Sequence, residues 1–558
     1  MPPHSACVIQ KRKLNTTAEI NQALDEEPSD IDDYSSDSDL SGSESEFIHD
    51  EDSGEDDDPA SEILRWEHAR NHDPVIMNFQ PTEPSGVTTN FNHGDGSESA
   101  FFENFMDTEL LNHILIETNN YARIPNWVNV AMNELRTYIA LLFAFSQVVK
   151  QNYRSYWEDG NNVTSTPNIK KYMKRSRFEE INRTLHFADL NSLDRNDRLS
   201  KARKLIEHVK KKFKSAYKPF QKLCIDESLV LFRGRVIFRQ YIPSKRHRFG
   251  IKFFVLCDSV TGYILDYIVY SASAIDIPAV AKKDPIGFSG SVVKTLLGQD
   301  YIGKGHILYT DNYYTSPALA DFLQKNNTGL CGTVKSNRKQ MAKFPNKGPQ
   351  GTMQKKKAGK LLAISYTDKR QVLLLSTVHK GDMIDTNKKN RLTGEVIRKP
   401  DAICDYNKHM RLVDKADMMS SYIDCTRKSR KWPSRLFQHI LRLCMVNAFI
   451  LFKQVNVGYK KSLREFTMTV VTQTLSRNAT KVPHRLSGLT NEERFNCDGF
   501  LESIAGVGNR KSYRRCHVCL QTCLQEQRRK ETAYRCKSCK TPLCIEPCNE
   551  LFHRSLRY

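Results

Sequence analysis

The chain has 558 residues, enough for several domains, and carries 84 Lys and Arg against 64 Asp and Glu, a net charge of +20. Its most apolar run, Tyr138 to Val149, is too short for a bilayer and is broken by Ser146 and Gln147, and Met1 to Lys13 lacks the apolar centre of a signal peptide. The expectation is therefore an intracellular protein with no membrane partner, in which 15 cysteines serve something other than a disulfide framework.

The charge is unevenly spread. Asp25 to Asp58 holds 17 of the 64 acids and no Lys or Arg, which leaves 47 acids against 84 basic residues elsewhere, or +37 for the remainder. So basic a body points to a polyanion, and nucleic acid fits best, because counterion release from phosphates rewards distributed Lys and Arg. The segment before Ala60, densest in SDSDLSGSESE, buries too little apolar surface to offset its ordering entropy. A second polar stretch, Pro81 to Ala100, reads as a linker, so folded structure is expected from Phe101 onward.

Asp107 is placed to cap a helix carrying Leu110, Leu111, Ile114 and Leu115, and Leu135 to Val149 predicts a more apolar one. Ser176 with Glu179 reads as a capping box ahead of Phe178, Ile181 and Leu185. This helical territory carries scattered basic residues, as in KKYMKRSRF and HVKKKFKSAYK.

The character changes at Lys222 to Arg235, KLCIDESLVLFRGR, an apolar strand-like run with Asp226 in its middle. A lone charge there is costly unless it meets a cation or a metal. Ile251 to Cys257 and Tyr263 to Tyr270 predict an antiparallel pair turning at Thr261 and Gly262. Val292 to Leu297 reads as helix, His306 to Thr310 as a strand ending in Asp311, and Ser316 to Lys325 as an amphipathic helix. Strand, hairpin, helix, strand, helix is the element order of an RNase H-like core. Asn337 to Lys399 then breaks into Lys- and Gly-rich sequence with one hairpin-like pair, LLAISYTD and QVLLLSTVH, and reads as an insertion. After it, RLVDKADMM sets Asp414 and Asp417 three apart, on one face of any helix there. Trp432 to Phe452 has a helical stripe of Leu436, Ile440, Leu443, Val446, Ala448 and Leu451 that packing alone explains.

An Asp at a strand end is commonly a turn former or a cap. Three acids on three elements can instead converge on Mg²⁺, which favours carboxylate oxygen and keeps sites for water and phosphate. At the far end, Cys516-x2-Cys519, Cys536-x2-Cys539, Cys544, Cys548 and His553 have the spacing of a cross-brace zinc module. That gives seven ligands, with Cys523 or His517 as candidates for an eighth. Arg514 and Arg515 lie in the basic sequence around this module and suit DNA phosphate, as do Arg233 and Arg235 beyond the first acid.

Taken together, CIDESLVLFRGR, YTDNYYTS, VDKADMM and RKSRKWPSRLFQHILRLCMVNAFILF resemble, in order and spacing, the motifs of piggyBac-type DNA transposases, from about Phe101 to His553. The resemblance implies a multidomain α+β chain: an acidic tail and linker (1–100), a helical dimerisation and DNA-binding domain in two parts (101–220 and 425–500), an RNase H-like core in two parts (221–336 and 404–424) around an insertion domain (337–403), and a cysteine-rich zinc domain (513–558). It implies catalytic Asp226, Asp311 and Asp414 holding two Mg²⁺ ions, a further motif acid at Asp417, two structural Zn²⁺ ions, and a nuclear homodimer. The activity it implies is excision from terminal repeats and insertion at TTAA in double-stranded DNA. A domesticated, non-cleaving DNA-binding protein of the same fold and a RING- or PHD-like zinc protein are the alternatives.

Overall fold

The computed structural model describes residues 64–555 apart from 82, 89–90, 93, 159–165, 167–168, 243–248, 273–275, 278–285, 346–347, 390–393, 426–428, 430, 479–493, 505–511 and 522–530, with backbone alone at 387–388 and 412–417. The acidic segment and most of the basic residues around the terminal cysteines lie outside these residues.

Five helices come first: α1 (Glu98–Phe105), α2 (Thr108–Tyr121), α3 (Met132–Gln147), α4 (Arg175–Thr184) and α5 (Arg203–Ala216). Asp107 caps α2 as expected, its side chain accepting from the Leu110 N–H. The capping box expected at Ser176 does not form, because α4 starts two residues earlier, with Lys174 at its N-cap. Glu179, which would have closed the box, instead accepts from the Tyr153 hydroxyl at 2.9 Å. The stretch read as a linker is also anchored. Gly86–Val87 pairs with Tyr217–Lys218, and the buried Phe91 packs on Phe101 and Phe105 in an aromatic cluster that ties it to α1.

A ten-stranded mixed sheet forms the centre. Its main strands are β1 (Lys222–Leu231), β2 (Phe249–Asp258), β3 (Ile264–Val269), β4 (Ile307–Thr310), β5 (Gly329–Thr333), β6 (Met353–Ala358), β7 (Leu361–Thr367) and β8 (Gln371–Ser376). Spatially they run β3-β2-β1-β4-β5-β8-β7-β6. The β1, β4 and β5 strands are parallel, and the others are antiparallel to their neighbours. Three antiparallel strands feeding a parallel trio is consistent with an RNase H-like core. The hairpin expected in the insertion is β7–β8, and it extends this same sheet by pairing β8 with β5. Helices α6 (Gly287–Tyr301) and α7 (Pro317–Lys325) cover the parallel connections, with Ser316 capping α7 at the Leu319 N–H.

Two nearly continuous helices follow, α8 (Asp401–His409) and α9 (Arg411–Tyr422), joined at Met410. Then comes α10 (Trp432–Val455), the helix expected from its apolar stripe, which at 24 residues is also long and apolar enough to cross a membrane, contrary to the expectation that no run is. It is buried through most of its length between the sheet and the helical region, where Asn447 bonds both backbone groups of Ile264 at 2.9 Å. That environment makes it a core helix. α11 (Leu463–Asn478) returns to pack on α3 and α1.

Candidate active site and metal centre

Three apolar residues, Leu223, Cys224 and Ile225, are fully buried ahead of Asp226 and fix β1 at the middle of the sheet. Its parallel neighbour β4 is in register, Ile225 opposite Thr310, so the next step along each strand brings Asp226 beside Asp311. Adjacent strands lie about 4.8 Å apart, close enough for two carboxylates to share a cation. The turn that carries Asp311 is closely held. Asp311 accepts from the Tyr313 N–H at 3.0 Å, and the Thr315 hydroxyl donates to the Asp311 carbonyl at 2.8 Å. Gly332 on β5 makes room for this turn, since a Cβ there would stand 2.2 Å from the Thr315 hydroxyl.

Burial, and then the charge of Glu227, push the Asp311 carboxyl up to about 6, against backbone N–H bonds from Tyr313 and Tyr314 and the nearby Lys252. A desolvated acid beside other acids lacks a positive charge, and a divalent ion supplies one. Lys252 is nearly fully buried and pairs with Glu227 at 2.6 Å, over the Tyr313 and Phe254 rings at 4.4 and 4.9 Å. Lys252 thus offsets part of the negative charge that Glu227 brings to this site.

Helix α9, which bears Asp414 and Asp417, packs against β1 and β2. The side chains of both acids lie outside the described atoms. Just before it, Tyr406 on α8 sits within electrostatic reach of both strand acids. Burial first, then Asp311 and Asp226, raise its hydroxyl. The elements carrying the three expected acids are thus packed together, with Asp226 at mid-β1, Asp311 just past the end of β4, and α9 against β1.

Arg233 and Arg235 are exposed in the loop after β1, shaped by Arg239, which donates to the carbonyls of Arg233 and Gly234 at 3.2 Å each. Arg514 and Arg515 are exposed on a short strand paired with Glu531–Thr532.

The terminal cysteines divide into two sets. Cys516, Cys519, Cys544 and Cys548 have sulfurs within 4.8 Å of one another, and Cys497, Cys539 and His553 form a second such group. Cys536 completes the second set, since its thiol hydrogen-bonds Cys497 and stands beside Cys539. The sets interleave along the chain, as a cross-brace requires. Cys497 thus stands where an eighth ligand would be needed. His517 packs edge-on against Phe552, centroids 5.2 Å apart, and Cys523 lies outside the described residues. The Cys544 N–H donates to the Cys516 sulfur at 3.3 Å. His553 places Nδ1 2.9 Å from the Arg494 carbonyl, leaving Nε2 toward Cys539, the orientation that a second-shell carbonyl gives a metal-binding imidazole. Cys497 stands alone, without a CxxC partner, so spacing did not mark it. An odd ligand count was the available signal.

Comparisons with known proteins find transposases. The family model for Transposase IS4 matches residues 97–449. PiggyBac transposable element-derived protein 3 of Homo sapiens is 25% identical over 467 residues, 81% of this chain and 75% of its own length. PiggyBac transposable element-derived protein 5 of Homo sapiens is 23% identical over 406 residues, 68% of this chain and 75% of its own. A cryo-EM structure of a piggyBac transposase synaptic complex with hairpin DNA aligns with a TM-score of 0.65 at 25% identity, covering 84% of this chain and 100% of that one.

Proposed function

The chain belongs to the Transposase IS4 family and is a piggyBac-type member of it, and from that premise we propose that it is a cut-and-paste DNA transposase acting at TTAA sites. The observation that carries this reading is the parallel register of β1 and β4, which sets Asp226 beside Asp311 under the helix that bears Asp414. Asp226, Asp311 and Asp414 are the residues that would hold two Mg²⁺ ions, with Asp417 as a further acid of the same helix. Such ions supply Lewis acidity and a deprotonated nucleophile for phosphodiester attack.

The chain's own groups do the remaining work. Asp226 and Asp311 are half-buried, and they accept from the backbone N–H groups of Glu227 at 2.8 Å and Tyr313 at 3.0 Å, so both are oriented before substrate arrives. In the first step water attacks the phosphodiester at a transposon end, and a 3′-hydroxyl leaves. In the next, that hydroxyl attacks the opposite strand to close a hairpin. After the hairpin reopens, the same hydroxyl attacks a target phosphodiester in line. Each step exchanges one P–O bond for another and needs no external energy source. Arg233 and Arg235 would contact strand phosphates at this end of the sheet, and Arg514 and Arg515 those near the terminal module. Double-stranded transposon ends, a homodimeric assembly and a nuclear location complete the reading, with Zn²⁺ in the two terminal ligand sets.

A plasmid excision assay with purified protein and a panel of terminal repeats tests it. Excision by the wild type, lost in Asp226→Asn, Asp311→Asn and Asp414→Asn with end-binding retained, is the expected result. Binding without any cleavage by the wild type would favour the domesticated, non-cleaving alternative.

A further inference from the structure

We propose that Asp405 is a positioning residue whose carboxylate joins the three elements bearing Asp226, Asp311 and Asp414 and sets their spacing. The inference rests on the transposase reading only for the role of those acids. Its geometry is independent of that role.

Asp405 sits on α8, nine residues before Asp414, and α8 runs into α9 with only Met410 between them. One carboxylate oxygen, Oδ1, accepts from Lys222 Nζ at 2.8 Å. Lys222 opens β1, four residues before Asp226. The other oxygen accepts from the Tyr309 hydroxyl, on β4 two residues before Asp311, and lies 3.2 Å from His379 Nε2, just past β8. His409 Nε2 stands 3.3 Å from Oδ1 and 3.2 Å from Lys222 Nζ. Each donor is itself fixed. His379 Nδ1 bonds the buried Ser376 hydroxyl at 2.8 Å, His409 Nδ1 lies 3.3 Å from the Ser259 carbonyl, and the buried Tyr309 ring packs on His409 at 5.0 Å.

One side chain thus receives bonds from both acid-bearing strands while standing on the helix pair that delivers the third acid. An ionised carboxylate only accepts hydrogen bonds, and each of its oxygens has room for two. Asp405 fills that capacity with partners from β1, β4, the end of β8 and its own helix. Burial works against its charge, yet bonds from His379, His409, Lys222 and Tyr309 hold the carboxyl far below the usual carboxylate range. It therefore stays charged at any working pH. Nothing places Asp405 among the reacting atoms. It acts through the backbone of α8 and α9, and Tyr406 beside it bonds Thr333 at the end of β5 at 3.3 Å.

The test uses the full-length zinc-loaded protein, with Asp405→Asn and the milder Tyr309→Phe, which removes one donor and leaves Lys222 paired. Three readouts are compared with wild type: Mn²⁺ affinity by calorimetry, the Mn²⁺ concentration for half-maximal strand cleavage, and hydrogen exchange by segment. Loss of a group that orients metal ligands weakens metal binding by roughly 10–100-fold, so Asp405→Asn should fall in that range and Tyr309→Phe at its lower edge. Exchange should quicken in 401–422 and stay unchanged in 432–455, and cleavage should recover at high Mn²⁺. Unchanged Mn²⁺ affinity in both folded variants would overturn the proposal. So would exchange that quickens uniformly across the sheet in Tyr309→Phe, which a purely structural role predicts. If the wild type cleaves no substrate, the transposase reading fails, while affinity and exchange still decide on Asp405.

Discussion

The sheet and the cysteine module are stabilised in different ways. The sheet buries a continuous apolar core running from Phe101 through β1–β8 to α10 and α11, and two of its acids, Asp226 and Asp311, stand on adjacent central strands. Among the described residues the module's buried hydrophobic cluster consists of Cys516, Val518, Cys536, Leu543, Cys548 and Phe552, and three of those six are metal-ligand candidates themselves. So small a core does not offset the ordering entropy of its chain. On the proposed reading, metal in the first region would be an operating part, and in the second it would hold the fold.

The largest effect should come from breaking that distinction with a chelator. Stripping Zn²⁺ should abolish order in residues 494–555 while the sheet's melting transition stays in place, followed by segmental hydrogen exchange. A single cooperative loss of both would show that the module and the sheet fold as one. On a finer scale, Cys497→Ser should reduce bound zinc from two ions to one by elemental analysis, whereas Cys523→Ser should leave both. The reverse pattern would remove Cys497 from the ligand set.

Acid sharpens the comparison from the other side. Burial pushes His306 down to about 4, and its ring is enclosed by Phe79 and Tyr301 with Nδ1 against the Gln221 carbonyl. Its folded value lies below the unfolded one near 6.5, so the unfolded chain binds more protons. The stability this group permits is complete above about 6.5 and declines as pH falls toward 4, by an amount of the order of 1–3 kcal/mol. His306→Gln should flatten that part of the sheet's stability curve and leave the module's acid sensitivity untouched. An unchanged slope in denaturant titrations at pH 7 and 5 would show that His306 does not govern it.

The smallest effect concerns residues 1–60. A tethered polyanion competes with DNA for a basic body at an effective concentration of the order of millimolar. Deleting it should tighten binding to random-sequence duplex, most at low salt. Superimposable salt curves would show that the segment never competes.

Much of the sheet was legible because its strands announce themselves locally. Asp226 and Asp311 stand out as charges against apolar runs, and Asp107 and Ser316 cap the helices expected after them. What escaped is set by distant partners. Helix α4 starts early because Arg177 is drawn into bonds with both oxygens of Glu134, at 2.9 Å each, and with Glu180 at 3.3 Å, none of which local capping chemistry encodes. The β7–β8 hairpin was visible, but its joining to β5 is a long-range edge pairing. Cys497 was invisible to a search for paired cysteines, and Asp405 draws its donors from positions as remote as Lys222 and Tyr309.

The account's central claim is that Asp226, Asp311 and Asp414 form one divalent-metal site built from two strands and a helix. Calorimetric Mn²⁺ titration of the full-length protein with zinc retained tests it most directly. The account predicts that Asp226→Asn, Asp311→Asn and Asp414→Asn each remove the same high-affinity binding seen in the wild type. Wild-type Mn²⁺ affinity in Asp414→Asn, alongside its loss in the two strand variants, would contradict it.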